Sequence, residues 1–425
     1  MFALKEHRTS LTVEVGAGLT TFFAMVYVLA ANPAILSQSG LPLAAIFTAT
    51  ALGTIAATLI MAFYANLPFA VAPGMGLNAF FVVMVLQMGY PPAQALTAVL
   101  VSGVVFALLS LSPLRKKFLE EIPVCLRRAV SSGIGLMIAY VGFYNSQVVI
   151  FNPEGPGLGD LTKGAPLLAV LGLLILGGLI ALGSRYAVLL SVIILTVLGI
   201  PLGVTQTTPL ASGVFSWPPG LQGLILNFDF SILTSPAFWS LVITLLIMEV
   251  VDGLAGFLGL FAVMGPEGER YRHKIGRAFV ADSLGVAVGA CLGLSPNTTY
   301  CESGTGVAVG GRTGLTALVV ALGFVLALFV SPLFLMVPGA AVAPALVWVG
   351  LLTLGSIATL DFNDRTESWP AFVVLVTIAL TWRISDSLAL GWLTYILMKV
   401  LAGQIKVITP TVWVMGLIFA LKLFW

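Results

Sequence analysis

Charge is what this chain has least of. Only 8% of its 425 residues are Asp, Glu, Lys or Arg, and 59% are hydrophobic with a mean hydropathy of +1.09, whereas about 25% are charged in an ordinary globular domain. No soluble core absorbs that much apolar surface, and no polar block is long enough to fold alone, so residues 1–425 read as one membrane domain. The 17 acidic and 19 basic residues leave a net +2, and the cations sit in short loops instead of along one basic face, which argues against a nucleic-acid partner. Histidine and cysteine are scarce too. His7 and His273 fall in predicted loops, which leaves no imidazole to hold a metal or haem within the membrane. Cys125, Cys291 and Cys301 have neither CxxC spacing nor an even count, so they imply no disulfide framework, zinc site or cofactor. A cleaved signal peptide is not expected, because no small-residue cleavage site follows the charged N-terminus.

What is present is apolar sequence in lengths that suit a bilayer. A membrane-spanning helix needs about 20 mostly apolar residues, and such stretches lie near 17–37, 44–64, 67–88, 92–112, 123–144, 164–183, 186–205, 236–264, 275–294, 296–310, 313–336, 338–358, 369–384 and 387–403. These fourteen predict an all-α polytopic membrane protein. A fifteenth stretch, 409–424, reads equally as a span, a half-span or an interfacial helix. Lys and Arg should gather in alternate loops if the spans are drawn correctly. With the N-terminus inside, Lys5, Arg8, Arg115, Lys116, Lys117, Arg127, Arg128, Arg185, Arg270, Arg272, Lys274, Arg277, Arg312, Arg365, Lys399 and Lys406 share one side, while Lys163, Arg383 and Lys422 fall elsewhere. That bias predicts a cytoplasmic N-terminus in a bacterial-type inner membrane. The loop 206–235 has no Lys or Arg and falls outside.

Two spans are interrupted. Ala72-Pro73-Gly74-Met75-Gly76-Leu77-Asn78 breaks the third, and Ser295-Pro296-Asn297-Thr298-Thr299-Tyr300 opens the tenth, since proline and clustered small residues interrupt a helix. Pro73 lies 56 residues after the start of span one at 17, and Pro296 lies 60 after the start of span eight at 236. Similar offsets predict two seven-span repeats, about 12–206 and 236–425. Seven is odd, so the second repeat enters from the opposite side and the two broken spans face each other near the midplane.

Four carboxylates lie within predicted spans, where each ionisable group costs about 2.5–3.5 kcal/mol on insertion scales. Glu249 stands 13 residues into span eight, roughly 20 Å deep; Asp252 follows on nearly the same helix face. Asp282 lies in span nine, and Glu302 follows the break at Pro296. No Lys or Arg accompanies them, so they are protonated, hydrogen-bonded, or paired with something mobile, such as a substrate with N–H donors, a proton or a cation. Glu249 and Glu302 are the candidate substrate ligands. Asp252 and Asp282 are candidates for proton coupling, or for hydrogen bonds to nearby backbone. Freed backbone N–H groups at 73–77 and 296–300 offer complementary donors, and Asn78, as ligand or helix cap, offers both a donor and an acceptor. Gly157-Leu158-Gly159-Asp160 matches the GxGD of intramembrane aspartyl proteases but lacks a partner Asp in a preceding span, and an enzyme is not expected. The small pairs in Gly133-Ile134-Gly135 and Gly306 to Gly310 predict close helix packing, and the charged stretch from Glu267 to Arg277 reads as a cytoplasmic turn.

At these residues the chain resembles the nucleobase-ascorbate transporter (nucleobase:cation symporter-2) superfamily, within it the AzgA-like branch of adenine, guanine and hypoxanthine permeases. The likeness rests on Gly16-Ala17-Gly18-Leu19-Thr20-Thr21-Phe22-Phe23-Ala24-Met25-Val26-Tyr27 with Asn32-Pro33, and on 72–78 continued by Ala79-Phe80-Phe81. Further along come Arg277-Ala278, Ala281-Asp282, Thr298-Thr299-Tyr300, Glu302-Ser303 and Gly310-Gly311-Arg312-Thr313-Gly314-Leu315-Thr316. The resemblance implies a seven-plus-seven inverted repeat, with a core (12–113 and 236–336) moving against a gate (114–206 and 337–425). It also implies proton-coupled uptake of a purine base and places the substrate ligands at Glu249, Glu302 and Asn78. Backbone groups of the breaks, at Gly76, Thr299 and Tyr300, would complete the contacts. The chain departs from the branch at span eight, with Glu249 where aspartate is usual and Val251-Asp252-Gly253-Leu254-Ala255-Gly256 in place of Phe-Asp-Thr-x-Gly-Thr. Xanthine, uracil or another small solute, a passive channel, and a homodimer remain open alternatives.

Overall fold

The computed structural model describes residues 2–112, 123–152, 155–184, 186–264, 268–381 and 384–423. Arg115, Lys116, Lys117, Arg185 and Arg383 of the charge pattern, and Glu267 of the charged turn, lie outside them. Among the described residues, fourteen helical spans follow the hydropathy. Span one is Leu11–Met25 and Val28–Leu36, span two Leu43–Ile60, span three Met75–Leu86, span four Pro92–Leu111, span five Val124–Asn145, span six Gly164–Ala181 and span seven Ala187–Leu198. Span eight is Pro236–Val263, span nine Ile275–Cys291, span ten Ser303–Val309, span eleven Gly314–Leu328, span twelve Gly339–Leu354, span thirteen Arg365–Thr381 and span fourteen Ile384–Leu401. The fifteenth apolar stretch is a helix, Pro410–Leu423, packed on spans fourteen and eight. At 1.5 Å per residue its 14 residues reach roughly 21 Å, less than the hydrocarbon thickness of about 30 Å.

The pairings between spans repeat when the halves are exchanged. Span four packs on nine as eleven packs on two, and one on eleven as eight on four; six lies on twelve as thirteen lies on five, and six on seven as thirteen on fourteen. The extensive packings form two groups, one of spans one, two, four, eight, nine and eleven, the other of spans five to seven and twelve to fourteen. Spans five and twelve cross closely because neither carries a side chain at Gly135 or Gly350. A Cβ on Gly350 would stand 2.5 Å from the Gly135 carbonyl oxygen.

The breaks are not bare unwound backbone. Hydrocarbon offers no partner for a freed N–H or C=O, so the two breaks satisfy each other. Val71–Pro73 and Asn297–Thr299 form an antiparallel pair in the register Val71 to Thr299 and Pro73 to Asn297. The Tyr300 N–H donates to the Ala70 carbonyl and the Gly74 N–H to that of Pro296, at 2.9 and 3.1 Å, so these donors, expected to be free, are in use. Thr58 in span two serves the strand from both sides, donating to the Val71 carbonyl and accepting from its N–H, each at 3.0 Å. A third irregularity was not expected: one tight turn at Val26–Tyr27 interrupts span one, with Leu29 N–H donating to Val26 and Ala30 N–H to Tyr27. The GxGD segment lies in a hairpin, Val149–Asn152 with Gly155–Leu158, where Asp160 accepts from the Thr162 N–H and hydroxyl in a local turn.

Glu14 is a fifth buried acid. It is fully buried at the start of span one, and its carboxylate accepts from the Arg312, Thr313 and Thr316 N–H groups and from the Thr316 hydroxyl. One repeat thus caps the first turn of span eleven in the other, where the free N–H groups and the helix dipole favour an anion. Glu14→Ala is expected to cost about 2–4 kcal/mol, since several buried donors lose their acceptor. The melting temperature of the purified protein should fall, with transport lost only in proportion to the folded fraction.

Candidate functional site

Between the paired strands and the crossing of spans five and twelve lies a cavity of about 270 Å³. Its two sides differ in chemistry. One side is polar: Tyr27, the backbone of Gly74 to Gly76, Asp252, Gly256, and the run Thr298 to Glu302. The facing side is Ser131, Ile134 and Ile138 from span five and Val349, Leu352 and Thr353 from span twelve. The lining follows the repeat. Tyr27 and Asp252 each stand sixteen residues after their helix starts at Leu11 and Pro236, while Ile134 and Val349 each stand ten after Val124 and Gly339.

The four membrane carboxylates separate by surroundings. Glu302 lines the cavity, and its Oε1 accepts from the Tyr27 hydroxyl at 2.7 Å. It immediately precedes the half-helix Ser303–Val309 but makes no capping hydrogen bond with its side chain. Asp252 also lines the cavity, and among the described residues none donates a hydrogen bond to it. Glu249, expected to be the substrate ligand, is not in the lining. It is 1% exposed, its Oε1 accepts from the Ser102 hydroxyl of span four at 2.8 Å, and its Oε2 has no hydrogen-bond partner among the described residues. The positions of the two span-eight acids are therefore the reverse of those expected. Residues three apart point about 60° apart around a helix, and here that angle decides between the cavity and span four.

Asp282 lies behind the strand, where its Oδ1 accepts from the Thr299 hydroxyl at 2.9 Å and its Oδ2 has no partner. Gly253 faces it: a Cβ there would stand 3.0 Å from the Asp282 Oδ2, so one of the two would have to give by a few tenths of an ångström. Thr299 and Tyr300 both line the cavity, but Thr299 spends its hydroxyl on Asp282, and the Tyr300 hydroxyl donates to the Pro73 carbonyl at 2.7 Å. Gly76 lines the cavity at the second position of its helix. Asn78 does not. It is fully buried, accepts from the Ser295 hydroxyl and lies 3.8 Å from the Met75 sulfur, which joins the two breaks from behind.

Residues 13–390 match a profile described as a permease family. The chain belongs to this family. Its relatives extend over the whole length. The permease is 37% identical over 426 residues to the adenine permease AdeP of Escherichia coli, covering all of this chain and 95% of AdeP. It is also 37% identical over 433 residues to the guanine/hypoxanthine permease PbuO of Bacillus subtilis, covering all of both. These matches place it in the nucleobase:cation symporter-2 family that its motifs resemble. Among solved structures, the transmembrane domain of a cyanobacterial bicarbonate transporter, BicA, superposes with a TM-score of 0.65 at 15% identity, over 90% of this chain and 97% of that one. SLC26A9 does so with a TM-score of 0.63 at 11% identity, over 92% and 66%. The permease thus has the seven-plus-seven inverted-repeat fold and is an integral, multi-pass membrane protein.

Sequence reasoning missed several residues of this site. Tyr27 stood within a quoted motif, but a tyrosine in an apolar helix carries no signal of its partner Glu302. Ser102 gave none at all, being one of many small polar residues in apolar spans. Cys301, which implied no disulfide or metal site in the sequence, is exposed and lines the cavity of the permease, whereas Cys125 is buried and Cys291 half-buried. A small methanethiosulfonate reagent is therefore expected to block transport through Cys301 alone. Saturating substrate should protect, Cys301→Ser should be resistant, and equal sensitivity of that variant would remove Cys301 from the path.

Proposed function

We propose that this permease is a secondary transporter that imports purine nucleobases with protons. The observation that carries the reading is Asp252, a carboxylate that faces the cavity with no hydrogen-bond donor among the described residues. A ring N–H or exocyclic amino group of a base supplies the missing donor, and Glu302, held by Tyr27, accepts a second. Strand and half-helix backbone at Gly74 to Gly76 and at Thr298 to Tyr300 offers further polar contacts. Ile134, Ile138, Val349 and Leu352 cover the apolar faces of a planar ring. That division of labour suits a small aromatic heterocycle with hydrogen-bonding edges. The names of the adenine and guanine/hypoxanthine permeases, similar along the full length, support the substrate class.

In this reading spans one to four and eight to eleven carry both acids and move against spans five to seven and twelve to fourteen, which supply the apolar wall. The N-terminus lies in the cytoplasm, in line with the Lys and Arg distribution. Protonation enters through Glu249, the buried acid one turn from Asp252 whose second oxygen is unpartnered, with Asp282 as the other candidate. Uptake of labelled adenine and guanine into vesicles, competed by hypoxanthine, xanthine and uracil, tests the substrate. Accumulation against a gradient under an imposed pH difference, abolished by an uncoupler, excludes a channel. Glu302→Gln is expected to weaken apparent affinity about 10-fold, the effect of losing one charge-assisted hydrogen bond of about 1.5 kcal/mol. Unchanged affinity would remove Glu302 from the site.

A further inference from the structure

A second cavity, of about 770 Å³, lies on the far side of Tyr27 between spans one, seven and eleven. Its walls are apolar, with Phe22, Val192, Ile193, Leu326 and Phe334 among them. The two hydroxyls that reach it are spent: Tyr27 donates to Glu302, and Thr196 to the Val192 carbonyl of its own helix at 2.7 Å. Ordered water needs two to four polar partners, and two hydroxyl oxygens whose donors are committed cannot supply them throughout the crevice. At its outer end the crevice is closed by the loop after span seven. Phe215 lines it, the Ser216 N–H donates to the Phe329 carbonyl at 3.0 Å, the Ser216 and Ser331 hydroxyls lie 2.8 Å apart, and Trp217 packs edge-on against Phe329. Toward the bilayer it is bordered by side chains that the protein leaves uncovered, with Phe23 44%, Ile193 50% and Leu326 72% exposed. Span seven, with only 12 residues, covers roughly 18 Å of the about 30 Å of hydrocarbon beside it.

We infer that a phospholipid acyl chain occupies this crevice. The crevice opens toward the bilayer past Phe23, Ile193 and Leu326, and its walls admit hydrocarbon while offering nothing to a head group or a polar solute. The chain would lie in the seam between the two packing groups, with spans one and eleven on one side and span seven on the other. Tyr27 is the wall it shares with the substrate cavity.

The test uses the full-length protein in vesicles that contain a trace of phospholipid with a photoactivatable group midway along one acyl chain. After irradiation, peptides covering 189–197 and 326–337 should carry several-fold more label than the peptide with Leu174, which is 70% exposed on the outward face of span six. Thr196→Trp and Ala30→Phe, which fill the crevice from opposite walls, should each abolish that enrichment and leave the label at Leu174 unchanged. Equal labelling of the crevice and of Leu174 in the unaltered protein would overturn the inference whatever the variants do. So would enrichment that survives both substitutions, or crevice peptides recovered crosslinked to a second polypeptide. The readout is independent of transport, so a wrong substrate assignment would leave it intact.

Discussion

Asp252→Asn is expected to reduce saturable purine uptake about 100-fold, close to 2.7 kcal/mol at 1.36 kcal/mol per tenfold. A hydrogen bond to a charged acceptor contributes about 1.5–3 kcal/mol, and this carboxylate has no donor among the described residues to fall back on. Asparagine keeps the shape, but it exchanges one acceptor oxygen for an NH2 group, which meets a substrate N–H donor against donor. The loss therefore exceeds that expected at Glu302, where Tyr27 continues to position the side chain. Initial rates over a range of substrate concentrations measure it. Wild-type uptake by the asparagine variant would show that Asp252 does not touch the substrate.

Glu249→Gln should behave differently. The amide still accepts from the Ser102 hydroxyl, so the packing between spans four and eight is preserved, but it cannot take up and release a proton. Exchange of labelled for unlabelled base across the membrane is expected to continue at near wild-type rate. Accumulation driven by a pH difference is expected to vanish, leaving equal concentrations on the two sides. Uphill accumulation by this variant would assign proton coupling elsewhere, with Asp282 next in line. Side by side, the two substitutions separate binding from coupling at acids only three residues apart.

The sequence made the large features legible because each leaves a one-dimensional trace. Apolar length marked the fourteen spans, cation alternation supported their order, and Pro73 and Pro296 located the breaks. The missing features are relations between distant residues. Nothing in Val71-Ala72-Pro73 names Asn297-Thr298-Thr299 as its strand partner, and the free backbone donors expected at the breaks are partly consumed by that pairing. Glu14 carried no signal in the sequence, although it caps a helix almost 300 residues away. Glu249 and Asp252 are ranked in the sequence by depth and by the resemblance, which places a substrate acid at the first of them. Their separation depends on helix rotation, which is fixed by how span eight packs on span four and not by any local pattern. Gly253, read as a lost threonine, lies against the Asp282 carboxylate.

The strand pair also sets a schedule for biosynthesis. Ala70 and Gly74 must wait for Tyr300 and Pro296, which leave the ribosome 230 and 222 residues later; at about 5–20 residues per second this is on the order of 11–46 seconds. Throughout that interval the first break carries unmatched peptide groups that are costly to leave in lipid. The amino-terminal half therefore cannot settle into the bilayer as a finished unit and depends on the insertion machinery, or on water, to shelter it until its other half is made.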